Sequence, residues 1–486
     1  MTMFFAGACF AQQVKAQDGA LDQAYTSSDG DARIIYAAAQ LPDGKVFIGG
    51  NIPPVNFQRL NADGTIDTSL PSGTGFTGGI PNHVWSILPV SDEQVLVGGC
   101  FTTFNGTAIT NLARIGSDGL LDPTFDSGTG PRLASGGPVI GSIYNITPQP
   151  DGKLVIGGMF DEYDGHSRSC FARIDANGAL DPDFHVGAGV RSGSTVGAVW
   201  SIARQDDGKL LLSGLFTTYD GVARKNLARV NADGSLDATF NTGGGPNNVV
   251  RAVAVQPDGK VLIAGPFTAY DQVPRAGVAR LHADGSLDTS FDPGAGAAGN
   301  AGPDVGGASL LLQADGKIIL GGWFNTFNTV SRNNLVRLHA DGSVDLGFDL
   351  GTGLTEATGG GERPAARCIV PGTGGTLLVG GNLRKYDGTA RNGFVRIINS
   401  AIVNVGEFEP LPVGVYPNPF HDKVIVELTA GAGKQPFTVH DAVGKQVASG
   451  VLNGQRDQVD LQALPAGVYV MRLQAGSPQS IRLVKQ

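Results

Sequence analysis

Gln256-Pro257-Asp258-Gly259-Lys260-Val261-Leu262-Ile263-Ala264-Gly265 is one copy of a ten-residue segment that occurs seven times in this chain. The other copies read LPDGKVFIGG from Leu41, VSDEQVLVGG from Val90, QPDGKLVIGG from Gln149, QDDGKLLLSG from Gln205, QADGKIILGG from Gln313 and GTGGTLLVGG from Gly372. Asp-Gly between two apolar runs signals a hairpin, because Gly takes positive φ at no steric cost and Asp bonds its own nearby backbone. Successive copies start 49, 59, 56, 51, 57 and 59 residues apart. In an all-β pattern that period points to a propeller rather than a solenoid of helices.

Around the hairpin, the fourth unit reads GAVWSIARQ, the Asp-Gly turn, KLLLSG, FTTYDG, NLARV, the turn NADG and finally SLDATF, over residues 197–240. This order predicts four strands per unit in a meander, the make-up of a propeller blade. The seventh unit stops early, at GFVRIINS (393–400), and its missing end stands at the other terminus as QDGALDQAY (17–25). Completing the last blade from the N-terminus removes an open sheet edge. The expected fold is therefore all-β: a seven-bladed β-propeller over residues 16–400 with an N-terminal strand closing the last blade, plus a small C-terminal Ig-like β-sandwich.

Gly at 73 and Pro at 27 make up about a fifth of the 486 residues, as many tight turns between short strands require. Lys is scarce and the formal net charge is -9, which disfavours a nucleic-acid-binding surface. No apolar run reaches the ~18 residues of a transmembrane segment. Cys9, Cys100, Cys170 and Cys368 lack CxxC or CxxH spacing and read as free thiols, buried ones within the units. His282 and His339 share one turn column, RLHADG, and His83, His166 and His185 have no convergent spacing, so no metal site is expected. HExxH, GxSxG, Walker A and GxGxxG motifs are absent; no catalytic residue and no cofactor are assigned.

Two columns recur through the units. Arg stands in the third strand at Arg59, Arg114, Arg173, Arg229, Arg280, Arg337 and Arg396; Asp opens the last element at Asp67, Asp122, Asp181, Asp237, Asp288 and Asp345, with Asp22 in the seventh place. Eight residues apart across a turn, they predict bidentate pairs bracing each blade rather than an anion-binding ring. A third column, Ile35, Trp85, Tyr144, Trp200, Arg251, Ala308 and Cys368, carries three aromatics in consecutive blades. Packing between blades explains them better than a sugar-stacking strip.

The connections between units vary most, and variable loops on a rigid scaffold are where binding usually resides. Their charged residues Arg132, Arg191, Asp304, Glu356, Glu362 and Arg363 are the candidate ligand-facing positions. An enzyme reading, glycoside hydrolysis, needs two carboxylates roughly 5–9 Å apart, which sequence does not place.

Residues 1–15 form a leader in which MTMFFAGACFA resembles the end of a signal peptide without its basic segment, so the true start is expected upstream. Residues 401–412 read as a linker. From 413 to 486, short alternating segments describe a small β-sandwich with seven Lys or Arg against five Asp or Glu.

The DGK hairpin, GGxFTxYDG middle, RNxLARLNADG third strand and LDxSF end together resemble the delta-60 repeat, a bacterial β-propeller family without established function. Departures are local: unit one lacks FTxYDG, and units two and seven lack DGK. The end of the chain is similar to the type A sorting domain of the type IX secretion system of Bacteroidota. Tyr416-Pro417-Asn418-Pro419, Gly444-Lys445, Gly467 and Tyr469, followed by a basic terminus, match its motif order. The resemblance implies export by a signal peptide and then by the type IX machinery, to release or to display on the outer-membrane surface. The expected function is a non-catalytic binding or display module for an extracellular glycan or protein, with an extracellular carbohydrate-active enzyme as the alternative.

Overall fold

The Asp-Gly hairpins form as the sequence expects. In the computed structural model, Gln256 N–H donates to Lys260 O (2.8 Å) and Gly259 N–H to Gln256 O (2.9 Å). Asp258 Oδ1 accepts from Lys260 N–H at 3.1 Å, and Gly259 takes φ +81°. This is a tight turn with a left-handed glycine, which keeps the flanking strands in register. The structure describes residues 17–26, 33–70, 73–91, 94–134, 141–299, 305–357, 363–399, 414–416, 421–427, 435–441, 446–453, 456–473 and 479–485.

Each repeat becomes a three-stranded antiparallel meander. In chain order the sheets are Ile34–Gln40, Val46–Asn51 and Phe57–Leu60; His83–Ser91, Gln94–Cys100 and Leu112–Gly116; Ser142–Pro148, Leu154–Met159 and Phe171–Ile174; and Ala198–Arg204, Leu210–Leu215 and Leu227–Val230. Then follow Ala252–Val255, Val261–Ala264 and Val278–Leu281; Gly306–Leu312, Ile318–Trp323 and Leu335–Leu338; and Ala365–Gly372, Thr376–Asn382 and Phe394–Ile398. The first strand of each sheet lies beside the first strand of the next, and Ala365–Gly372 returns to Ile34–Gln40. All elements are β, the sheets are propeller-like, and no helix occurs among the described residues.

The fourth strand of the expected meander shrinks to one residue pair per unit, such as Val230 with Leu236. The cause is local. Asp237 Oδ1 accepts from both the N–H and the hydroxyl of Thr239 (2.9 and 2.6 Å), which turns the chain immediately after the Asp.

Packing between sheets depends on the Gly-Gly end of the anchor. A Cβ on Gly158 would lie 2.0 Å from Ser142 O, and one on Gly157 would lie 2.7 Å from Val199 Cγ1 of the next unit. The first glycine is thus a socket for the neighbour's buried valine. The core is correspondingly a series of clusters shared by adjacent units; Val155 and Phe171 of the third unit pack with Val199, Leu210 and Phe216 of the fourth.

The N-terminal segment joins the seventh unit. Gly19 N–H donates to Ile398 O, Ile398 N–H to Ala20 O and Asp22 N–H to Arg396 O, at 2.8, 2.8 and 3.0 Å. Tyr25, wholly buried, lies under the Arg396 guanidinium (4.4 Å to the ring centre). The same unit meets the first one directly, where Ile34 pairs with Asn382.

Residues Val403–Gln486 form a second compact unit, separate from Met1–Ile402. Its strands make a three-stranded sheet (Gly414–Tyr416, Lys423–Glu427, Arg456–Asp460) and a four-stranded one in the order Gln446–Leu452, Gln435–Asp441, Gly467–Leu473, Gln479–Lys485. Val424, Val426 and Val459 of the first share one core with Phe437, Val439, Tyr469 and Leu483 of the second.

Candidate functional site

The Arg and Asp columns meet in every unit. Arg229 Nε lies 2.7 Å from Asp237 Oδ2, and the equivalent contact joins Arg59–Asp67, Arg114–Asp122, Arg173–Asp181, Arg280–Asp288, Arg337–Asp345 and Arg396–Asp22. The geometry corrects the bidentate expectation: only Nε reaches the carboxylate. In six of the seven, Nη1 goes instead to a turn carbonyl of the following unit, Arg59 to Ser117 O (2.6 Å), Arg114 to Ala176 O (2.7 Å), and Arg396 of the last unit to Ala62 O of the first (2.8 Å); Arg337 Nη1 meets Asn399 Oδ1 and Asp18 Oδ2 in its place. One guanidinium therefore ties its own blade edge to the next. The Lys of the DGK turn is spent on the same carboxylate, as in Lys260–Asp288 at 3.0 Å.

The connections between units are less free than their sequence variation suggests. Each begins with a Gly-rich turn seated on the next unit's FTxYDG hairpin. The Asp or Asn of that hairpin takes left-handed φ, +46° at Asp220, and its carboxylate or amide oxygen accepts a loop N–H. Ala188 N–H to Asp220 Oδ1 is 2.8 Å, and Thr129–Asp164, Gly244–Asp271 and Thr352–Asp387 repeat it. Short loop strands then pair with the hairpin, Pro131–Arg132 with Glu162–Tyr163 and Val190–Ser192 with Thr218–Tyr219. The hairpin Tyr is anchored below, Tyr270 Oη donating to Gly285 O at 2.7 Å.

These elements place the candidate loop residues apart. Arg132 pairs with Glu162 (2.5 Å), and Glu356 with Lys385 (2.6 Å). Arg191 sits in Val190–Ser192. Arg363 is exposed, and its carbonyl accepts from Asn382 Nδ2 at 3.1 Å. Asp304 and Glu362 lie outside the described residues. No hydrogen bond or ion pair joins two described members of the set, and the carboxylate that is described, Glu356, faces a lysine.

The aromatic column proves to be the bulge of the first strand. Register shifts fall at Tyr36, Trp85, Tyr144, Trp200, Ala308 and Arg367. Arg251 holds the equivalent place in the fifth unit, where a Cβ on Gly265 would meet the Cα of Val250 as one on Gly50 meets that of Ile35. The expected members Ile35 and Cys368 are therefore one residue out of register. Ile35 packs wholly buried between units, and the true members are Tyr36 and Arg367. A bulge residue is unpaired and re-aimed, and here the side chains stack from unit to unit. Tyr36 and Trp85 are 4.1 Å apart between ring centres, and Trp85 and Tyr144 meet edge-on at 5.6 Å. Trp323, from the end of a second strand, supplies the ring that Ala308 lacks: Arg251 and Arg367 cover it at 4.3 and 4.8 Å, and Arg367 reaches Tyr36 at 5.0 Å. Trp200 stacks on no described ring or guanidinium. Beside this set, burial first and the Arg367 charge second hold His83 down to about 4, so its imidazole is neutral at pH 7. The bulge stands at the third residue of the first strand in six units, with Arg251 just before the strand in the fifth, at the end where the connections enter.

A second arginine column was not singled out from sequence, although it is visible there as YDGHSR, YDGVAR, YDQVPR, FNTVSR and YDGTAR. Arg168, Arg224, Arg275, Arg332 and Arg391 each follow the hairpin of units three to seven and are half-buried.

In the C-terminal unit, Tyr416 ends the strand Gly414–Tyr416 and Gly467 begins Gly467–Leu473. Tyr469 Oη donates to Pro465 O at 2.7 Å. Pro417, Asn418, Pro419, Gly444 and Lys445 lie outside the described residues.

Fold and site together define a repetitive, propeller-like β protein with a separate C-terminal β domain. The chain carries repeats of the domain of unknown function (DUF5122) beta-propeller at residues 41–70, 91–125, 149–184, 205–240, 256–291 and 313–348, followed by a secretion system C-terminal sorting domain at 414–486. The sorting domain marks the protein for type IX secretion, to the cell surface or the extracellular space, and implies interaction with that machinery. No curated protein matches the chain. Among solved structures it is similar to the extracellular domain of a putative hybrid two component system from B. thetaiotaomicron (12% identity, TM-score 0.46), covering 95% of this chain and 56% of that one. It is also similar to PorZ, a surface component of the type-IX secretion system of Porphyromonas gingivalis (14% identity, TM-score 0.22, covering 93% and 81%). A gluconolactonase from Xanthomonas campestris matches at 11% identity and TM-score 0.31, over 63% of this chain and 95% of the enzyme. The chain thus spans little more than half the length of the first of these, and none of the three likenesses bears on function.

Proposed function

We propose that this is a secreted or surface-displayed binding module without catalytic activity, built as a seven-bladed β-propeller over residues 16–400. Residues 17–25 complete its last blade. A leader at 1–15, and an Ig-like domain at 413–486 that the linker 401–412 attaches to the propeller, direct it through the inner membrane and then the type IX route. Tyr416, Pro417, Asn418, Pro419, Gly444, Lys445, Gly467 and Tyr469 are the proposed recognition motif of that domain.

One observation carries the binding reading. On the described loops the carboxylates hold loop to hairpin, Glu162 with Arg132, Glu356 with Lys385 and Asp220 with Ala188 N–H, while Trp200, half-buried in the bulge column, stacks on no described ring or guanidinium. That is a preformed surface with aromatic faces, not a converging acid and base. Deleting residues 413–486 is expected to leave the propeller in the periplasm, and joining them to a periplasmic reporter to export it; immunoblots of cell fractions read both. Unimpaired release of the truncated chain overturns the export role. Product release from a panel of polysaccharides would overturn the non-catalytic reading.

A further inference from the structure

The five arginines that follow the hairpins share one geometry that the fold does not explain. Each holds the hairpin closed through its backbone: Arg224 N–H donates to Thr217 O (2.9 Å), and Arg168, Arg275, Arg332 and Arg391 repeat the bond to Asp161, Thr268, Asn325 and Arg384. Each side chain makes one hydrogen bond, from Nη1 to the carbonyl of the residue before it, at 2.8–2.9 Å. None forms an ion pair, and the Nε of all five is buried with no acceptor. The buried Nε is out of a ligand's reach, but Nη2 of each also makes no hydrogen bond and is not buried, so one edge of each guanidinium, a group with five N–H donors, is open to an acceptor from outside the chain. This contrasts with the third-strand arginines, whose Nε always finds Asp. It also contrasts with the lysines of the DGK turns, at the opposite end of each second strand, which are paired with carboxylates.

The same end of the sheets carries the aromatic bulge ring, and Trp200 in that ring is half-buried and unstacked. Guanidinium groups spaced one per unit suit a ligand with an anionic group at regular intervals. An aromatic face at the same end of the sheets suits the C–H face of a pyranose. We propose that the hairpin face of this protein binds an anionic polysaccharide. The arginines of units three to seven hold its carboxylate or sulfate groups, and Trp200 stacks on a sugar ring at the channel mouth. This rests on the reading of the ring as a binding module and names its ligand class.

The test uses the full chain against immobilised polygalacturonate, dextran sulfate, neutral dextran and vesicles of anionic phospholipid. Retention is expected on one or both acidic glycans and not on neutral dextran, and it should fall as salt rises. Whether polygalacturonate or dextran sulfate binds more tightly separates carboxylate from sulfate. R224Q/R275Q/R332Q should weaken binding about tenfold or more at an unchanged melting temperature, with the corresponding Lys variant recovering part of the loss. Trp200→Ala should weaken glycan binding as well. No retention on either acidic glycan, undiminished retention by the triple Gln variant, or tighter capture by the vesicles than by the glycans overturns the proposal. Such a failure leaves the export reading standing, because loss of secretion on removing 413–486 is measured independently.

Discussion

Asp122 shows how one carboxylate is used four ways. The Thr124 hydroxyl and N–H reach its Oδ1 at 2.7 and 2.8 Å, and Arg114 Nε and Gln94 Nε2 reach Oδ2 at 2.9 and 2.6 Å. Gln94 stands where other units have the DGK lysine. The Thr124 hydroxyl first, then its N–H, outweigh burial and with Arg114 hold the carboxyl down to about 2. The folded group thus binds protons more weakly than the unfolded one, whose value is about 3.9. Its stabilisation is complete above that value and is lost as pH falls toward 2. Asp122→Asn turns an N–H₂ toward Arg114 and should cost about 1.5–3 kcal/mol at pH 7, as charged hydrogen bonds do. The deficit against the parent should shrink below pH ~4, read by urea unfolding at several pH values; a constant deficit would deny the linkage. The pairing of these columns was legible because eight-residue spacing across a turn leaves few alternatives. Its monodentate form was not, since the second acceptor, a turn carbonyl, belongs to the next unit. The bulge column was fully legible: it stands five residues before every anchor, from Tyr36 before Leu41 to Arg367 before Gly372. The expectation slipped by one at the first and last units, where apolar or sulfur-bearing neighbours fit the pattern equally well.

Among the elements, the N-terminal segment 17–25 carries the most consequence per residue. It supplies an Asp for Arg396, a carbonyl for the buried Tyr386 hydroxyl at Gly19, and a second carboxylate for Arg337 of the sixth unit, Asp18 Oδ2 at 2.9 Å. Its backbone continues the seventh sheet, so removing it exposes a strand edge as well as orphaning these groups. Tyr25→Ala should cost about 3–5 kcal/mol, the usual range for truncating a buried aromatic. A chain starting after residue 26 should both melt lower and associate, as seen by calorimetry and sedimentation. An unaltered melting temperature in both variants would make the segment an ornament rather than a part of the last blade. Its role could be read in the sequence because ALDQAY repeats the register of SLDATF. The collapse of the fourth strand to one pair could not: SLDATF alternates like a strand, and only the Asp-to-Thr side-chain turn ends it.

At the scale of the molecule, the contacts between units form a circuit. Arg59 bonds the second unit, Arg114 the third, Arg173 the fourth through Ala232 O, and so on until Arg396 bonds Ala62 of the first. In an open array of repeats, stability is a sum over neighbours and the end units fray first. A circuit has no end units, so loss of one unit breaks two interfaces and the sheets should unfold together. The three tryptophans, Trp85, Trp200 and Trp323, lie in the second, fourth and sixth units, and residues 413–486 contain none. Variants retaining one Trp each, with Phe at the other two positions, therefore report three separated parts of the ring without interference from the sorting domain. Their fluorescence transitions in guanidinium chloride should share one midpoint and one slope. In the chain lacking residues 1–26 the seventh unit loses its last element and Arg337 of the sixth loses Asp18, so the Trp323 transition, in that sixth unit, should move to lower denaturant ahead of that of Trp200. Separate midpoints in the intact chain would show that the units are coupled only to their neighbours and that the closing contacts of Arg396 and Asp22 add little.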